Sequence, residues 1–100
     1  MNISVYGQIL RVSDVPELNA LNAPSLRDQV RAALKPEVRT IELDLSETKF
    51  VDSSGLGALI AIQKTAVTLG GSVVIVNPTS TVVQILELTR LHRVLEIVRR

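Results

Sequence analysis

The sequence has 100 residues, of which 46% are hydrophobic but only 2% aromatic, so one soluble domain with an aliphatic core is expected. Eleven basic and 10 acidic side chains nearly cancel, and neither nucleic-acid nor membrane-surface binding has electrostatic support. Cysteine is absent, which excludes disulfides, thiolate catalysis and cysteine metal sites.

The first third of the chain predicts two strands followed by a helix. Residues 2–12 alternate apolar and polar side chains around Gly7, which indicates two short strands with a turn there. Asn22 as the N-cap and Pro24 in the first turn predict a helix that ends before Lys35-Pro36. Its apolar face consists of Leu26, Val30, Ala33 and Leu34.

The middle of the chain predicts a strand and a long helix. In residues 40–46, three apolar side chains alternate with Glu42 and Asp44, as in a strand. A helix follows from about Ser53 to Leu69, and Gly70-Gly71 ends it. Its apolar line comprises Leu59, Ile62, Ala66 and Leu69, widened by Leu56, Ile60 and Val67.

The last third predicts a strand, a helix and a final strand. Residues 72–76 form a continuous β-branched run, typical of a strand buried on both faces. Asn77-Pro78 breaks the chain before a helix over Thr79–Leu88, and Val94–Val98 suits a short strand. The order β-β-α-β-α-β-α-β predicts an α/β fold with a mostly parallel or mixed sheet and its helices outside.

Enzymatic chemistry has little support in the sequence. His92 is the only histidine, has no nucleophile nearby, and is expected to lie partly exposed beyond a helix end. No G-x-S-x-G elbow, P-loop or complete dinucleotide fingerprint is present. No metal or cofactor is expected. No segment is typical of a signal peptide or long enough to span a bilayer, so a cytoplasmic protein is expected.

The stretch FVDSSGLGALIAI, residues 50–62, places serines and glycines where a strand leads into a helix. Asp52 or Ser53 can cap this helix, but capping requires one such side chain and explains neither the second serine nor the glycines. A phosphoserine is tolerated at a helix N-terminus, because free N–H groups and the dipole favour an anion. The pattern therefore favours a surface for another protein, switched by phosphorylation.

The sequence resembles STAS domains, specifically the bacterial anti-sigma factor antagonists, and the resemblance is strongest from Thr40 onward. The family signature is a strand ending Asp-Leu-Ser, a short loop, and Asp-Ser-Ser-Gly-Leu-Gly opening a helix, here Asp52 to Gly57. The resemblance implies one STAS domain over residues 1–100, with a mixed four- to five-stranded sheet and helices mainly on one face. It covers nearly the whole chain.

The resemblance also implies partner switching without catalysis. The unphosphorylated antagonist binds an anti-sigma factor that is a serine kinase of the GHKL type; phosphorylation weakens the complex, and a PP2C-type phosphatase resets it. By position the phosphoacceptor is Ser53, with Ser54 as the alternative. The implied partner-binding surface comprises Asp52, Ser53, Ser54, Gly55, Leu56, Gly57 and, where relatives usually carry an acidic residue, Asn19.

Alternative interpretations remain. The domain could be an unswitched scaffold in a larger complex, or a binder of small molecules or nucleotides at the Gly-rich helix start. A monomer or weak homodimer is expected for the switched antagonist, whereas large homo-assemblies would favour the scaffold.

Overall fold

The computed structural model describes residues 1–100 as one five-stranded sheet and three α-helices. The strands are β1 (Asn2–Tyr6), β2 (Ile9–Ser13), β3 (Thr40–Asp44), β4 (Ser72–Val76) and β5 (Glu96–Val98). The helices are α1 (Ala23–Ala33), α2 (Ser53–Thr68) and α3 (Ser80–Leu88), followed by a 3-10 turn at Leu91–Arg93. The strand order is β1-β2-β3-β4-β5; β1 is antiparallel to β2 and the other pairs are parallel, which confirms the predicted mixed sheet.

The core lies on one face of the sheet. In register, Leu10 of β2 pairs with Ile41 of β3, which pairs with Val73 of β4, so these side chains point the same way. They join a cluster of 21 buried residues that includes side chains from all three helices. The helices therefore pack against the same face, as predicted.

The opposite face of the sheet carries an ion-pair network. Glu42 is only 6% exposed although it lies on the face without helices. Its carboxylate accepts hydrogen bonds from Arg11 Nη1 at 3.1 Å and from Arg100 Nη2 at 2.7 Å. Arg11 also donates to Asp44 at 2.8 Å. The hydrogen bond that Arg100 donates holds the pKa of Glu42 below its ordinary value, and the positive charge of Arg100 lowers this pKa further.

The helix ends follow local chemistry. Asn22 occupies the N-cap position of α1, but its side chain makes no cap bond and instead accepts from Asn19 N at 2.8 Å. At the end of α2, Gly70 has φ +74°, while Gly71 N donates to Ala66 O at 2.8 Å and Gly70 N to Val67 O at 2.9 Å. This is a Schellman motif, the predicted glycine stop.

Two expectations about apolar segments were wrong. Ile60 and Val67 are 39% and 60% exposed, so they do not widen the buried line of α2, and Leu69, at 36% exposed, does not belong to it. Buried positions on α2 (Gly55, Ala58, Leu59, Ile62 and Ala66) cover one face, and the other side has no element packed on it. The last strand begins at Glu96, not Val94, because Val94 N donates to Leu91 O within the preceding turn.

Candidate functional site

The candidate site lies at the carboxyl end of the parallel strands, where the loops entering α1 and α2 meet. The loop after β2 runs beside the loop after β3, and Leu18 forms an isolated parallel bridge with Val51. Leu18 N donates to Phe50 O at 3.1 Å, and Asp52 N donates to Leu18 O at 3.0 Å. Backbone bonds therefore place the start of α1 against the start of α2.

Asp52 caps α2 and simultaneously holds the neighbouring loop. One carboxylate oxygen accepts from Gly55 N at 2.9 Å, and the other accepts from Ala20 N at 3.3 Å. The sequence left the cap open between Asp52 and Ser53, and the structure assigns it to Asp52.

The hydroxyls of Ser53 and Ser54 are consequently free. Both residues are exposed in the first turn of α2, and neither hydroxyl makes a hydrogen bond within the chain. The first turn of a helix also leaves backbone N–H groups without helical partners. The first turn of α2 thus combines two unbonded serine hydroxyls, free backbone N–H groups and access to solvent.

Gly55 belongs to the predicted partner-binding surface, but packing inside the domain constrains it. It is buried, and a Cβ atom built on it would lie 2.5 Å from Leu18 O and 2.8 Å from Val51 Cγ1. Its small size is required by packing inside the domain. Gly57, by contrast, is exposed, and a Cβ there would meet nothing within 4 Å. Leu56 is half-buried against the core.

Asn19 lies in the loop before α1, with its side chain in local bonds. Its Oδ1 accepts from Leu21 N at 3.0 Å, and its Nδ2 donates to Glu17 at 3.1 Å. Its neighbour Ala20 donates to Asp52, so Asn19 is near the start of α2. The structure thus brings the predicted site residues of loop and helix to the same region.

A groove between α1 and α2 adjoins the two serines, and sequence reasoning missed it. It has a volume of about 290 Å³ and is lined by Ala20, Ala23, Pro24, Arg27, Ser54 and Gly57. Arg27 of α1 is the one charged side chain on these walls. The spacing of Arg27 and Arg31, one turn apart on the polar side of a predicted helix, was the available signal.

Other candidate chemistry is weak in the structure. His92 is exposed beyond the end of α3, as predicted, with Nδ1 at 3.4 Å from Leu86 O. No cluster of three or more potential metal-ligating side chains is present. None of the helices combines the length and the apolar character that crossing a membrane requires.

Comparison with known proteins identifies the family. The STAS domain profile matches residues 1–100. The chain belongs to the STAS domain family. A proposed anti-sigma factor antagonist of Thermotoga maritima superimposes with a TM-score of 0.86 at 26% identity, over 99% of this chain and 85% of that protein. The predicted family and fold are thereby confirmed.

More distant STAS structures share the fold. The unphosphorylated anti-sigma factor antagonist SpoIIAA matches with a TM-score of 0.77 at 19% identity, over 97% of this chain and 86% of its own. The phosphorylated form of SpoIIAA, from Bacillus, gives 0.70 at 19% identity over 97% and 89%. The murine anion transporter Slc26a9 matches at 0.68 and 23% identity, over 85% of this chain but 14% of the transporter.

Proposed function

We propose that this STAS protein is an anti-sigma factor antagonist whose binding to an anti-sigma factor is switched by phosphorylation of Ser53. The supporting observation is that Asp52, and not Ser53, caps α2, which leaves the exposed Ser53 hydroxyl without a hydrogen bond. Further support comes from the 26% identical Thermotoga maritima protein, itself a proposed antagonist. The protein acts in the cytoplasm as a substrate and binding module, not as a catalyst.

The phosphorylation step requires only the hydroxyl from this chain. The partner is a serine kinase of the GHKL type, which transfers the γ-phosphoryl group of ATP to Ser53 Oγ. The new O–P bond replaces the bond to ADP, and the serine proton passes to a base on the kinase or to water. A PP2C-type phosphatase then hydrolyses the phosphoserine, restores the hydroxyl and releases inorganic phosphate.

The switch acts at the surface and leaves the fold in place. Phosphate adds a charge of about −1.5 to −2 at a helix N-terminus, where the dipole and free N–H groups favour an anion. Because Asp52 already satisfies the cap, no internal bond has to break. The partner, in contrast, meets new bulk and charge beside Asp52 and Gly57. Its affinity therefore falls while the domain stays folded.

The proposal is tested with each anti-sigma factor kinase encoded in the source genome. Incubation with ATP, followed by intact mass and peptide mapping, is expected to place one phosphoryl group on Ser53. Ser53→Ala should abolish labelling, whereas the matched control Ser54→Ala should retain it. Phosphate on neither serine would refute the switch.

A binding measurement tests the consequence of the added charge. Ser53→Asp should bind the anti-sigma factor at least about tenfold more weakly than Ser53→Ala, because misplaced charge at an interface costs several kcal/mol. Isothermal titration calorimetry provides both constants. Equal affinities would contradict the electrostatic account of release, and binding by neither variant nor wild type would favour an unswitched scaffold.

A further inference from the structure

The groove between α1 and α2 has an unusual charge distribution. Arg27 lines it beside Ser54 and Gly57, and it also lines the adjoining space between the helices together with Arg31 and Ala61. Both guanidinium groups are exposed, and neither makes an ion pair or side-chain hydrogen bond within the chain. Arg27 in the groove and Arg31 in the adjoining space thus form a row of unpaired cations along α1.

The facing wall contributes no compensating acid. The only charged side chain of α2 is Lys64, which is exposed. Asp28 is the one acidic residue of α1 and lies within 4 Å of no cation. Asp52 and Glu17, in the loops that precede the two helices, keep their negative charges although both accept N–H hydrogen bonds. Along the helices themselves Arg27, Arg31 and Lys64 outnumber Asp28, so positive charge prevails there.

The walls themselves are small and open. Ala20, Ala23 and Gly57 contribute only small side chains to the walls, and there is space for a side chain above the exposed Gly57. Such a groove admits a segment that approaches the helices closely, with Arg27 and Arg31 reaching its carboxylates from one side. Arginine suits this role, because its planar guanidinium group can donate two parallel hydrogen bonds to one carboxylate.

We propose that the α1–α2 groove binds an acidic peptide segment of the partner through Arg27 and Arg31. The assignment of that segment to an anti-sigma factor rests on the proposed function; the acidic chemistry of the ligand rests on the groove alone. The proposal also connects Arg27 with the switch. A phosphate on Ser53, next to Ser54 of the groove wall, repels incoming carboxylates and attracts Arg27, so it opposes docking directly.

The first test uses defined peptides and does not need the natural partner. The ¹⁵N-labelled chain is titrated at low salt with a twelve-residue Glu/Ala/Gly peptide and with its Gln counterpart, at roughly 20 mM ionic strength where surface charges are least screened. The Glu peptide should shift amide signals in residues 20–31 and 53–65, and the Gln peptide should not. Equal shifts with both peptides, or shifts concentrated elsewhere, would overturn the proposal.

Charge reversal supplies the matched controls. Arg27→Glu/Arg31→Glu should remove the peptide-induced shifts, while Arg93→Glu, an exposed arginine of the distant 3-10 turn, should preserve them. All three side chains are exposed, so the thermal midpoint should be nearly unchanged and a lost signal cannot be ascribed to unfolding. Unaltered peptide binding by the double variant would contradict the role of the two arginines.

The second test uses the anti-sigma factor that binds the wild type. The double reversal should weaken that complex by about tenfold or more, as close charge pairs at interfaces couple by at least about 1.5 kcal/mol, and Arg93→Glu should stay within twofold of wild type. If wild type binds no anti-sigma factor, the proposed function fails, yet the peptide titration still decides the groove. If wild type binds and the double variant binds equally well, the groove proposal fails by itself.

Discussion

The inner and outer faces of the first two turns of α2 are both built from small residues, for different reasons. On the inner face, Gly55 is closed in by the Leu18 carbonyl and the Val51 side chain. On the outer face, Ser53 and Ser54 make no side-chain bond, and Gly57 faces open space. Packing therefore demands the inner small residue, whereas nothing in the fold demands the outer ones. Residues that the fold leaves free are the ones available to a partner.

The largest expected effect comes from Gly55→Ala. The added Cβ would lie 2.5 Å from a backbone oxygen that also accepts from Asp52 N, so it cannot move aside cheaply. We expect a loss of about 2–3 kcal/mol in the free energy of unfolding, as for overpacked cores. Urea denaturation followed by circular dichroism measures it. A variant as stable as wild type would show that the inner face is not constrained by packing.

The next effect concerns the boundary between the faces. Asp52→Ala removes the cap bond to Gly55 N and the bond to Ala20 N, and should cost about 1–2 kcal/mol. Asp52→Asn retains an acceptor oxygen and should recover most of this loss. The same urea titration compares the three proteins. A similar loss in both variants would assign the stabilisation to the negative charge and not to the cap hydrogen bond.

Gly57→Ala should act in the opposite direction to Gly55→Ala. The new methyl group meets nothing within 4 Å, and alanine favours a helix interior over glycine by about 1 kcal/mol. We expect a gain of up to that amount in unfolding free energy, with weaker binding of the partner because the groove is narrower. A loss of stability would mean that the outer face is also constrained by the fold.

The smallest effect lies on the sheet face opposite the helices. Folding lowers the pKa of Glu42 from its ordinary 4.5, so its charge stabilises the protein above that pH and the contribution is lost as pH falls through the folded-state pKa. Wild type should exceed Glu42→Gln in stability at neutral pH and converge with it in acid. The difference is small, because Arg100 is 51% exposed and screened by solvent. A difference independent of pH would exclude the ion pairs as its source.

Much of the fold followed from local patterns. Period-two alternation identified β1 and β3, the β-branched run identified β4, and Gly70-Gly71 ended α2 as predicted. The exposure of Ile60 was missed because almost every residue from Leu56 to Ile62 is apolar, and periodicity cannot then select a face. The burial of Glu42 was not predicted, because it depends on contact with Arg100, which is 58 positions away in the sequence.

The location of the site was predictable from the sequence, but which of its residues serve packing and which stay exposed was not. The Asp52–Gly57 segment marked the place, and the structure leaves the two serine hydroxyls free there. The role of Gly55 depends on Leu18, which is far away in sequence and comes close only through the Leu18–Val51 bridge. The groove depends on Arg27, whose relation to α2 arises from helix packing. Non-local contacts of this kind leave no trace in a short motif.

The bridge between Leu18 and Val51 has a consequence for the thermodynamics of association. It joins the loop before α1 to the loop before α2 through backbone hydrogen bonds, and Asp52 adds a third connection at Ala20. A partner that docks here meets segments already ordered relative to each other, so little conformational entropy has to be lost on binding. We therefore expect complex formation to proceed nearly as a rigid-body encounter, with amide hydrogen exchange of Leu18 and Asp52 slow even in the free protein.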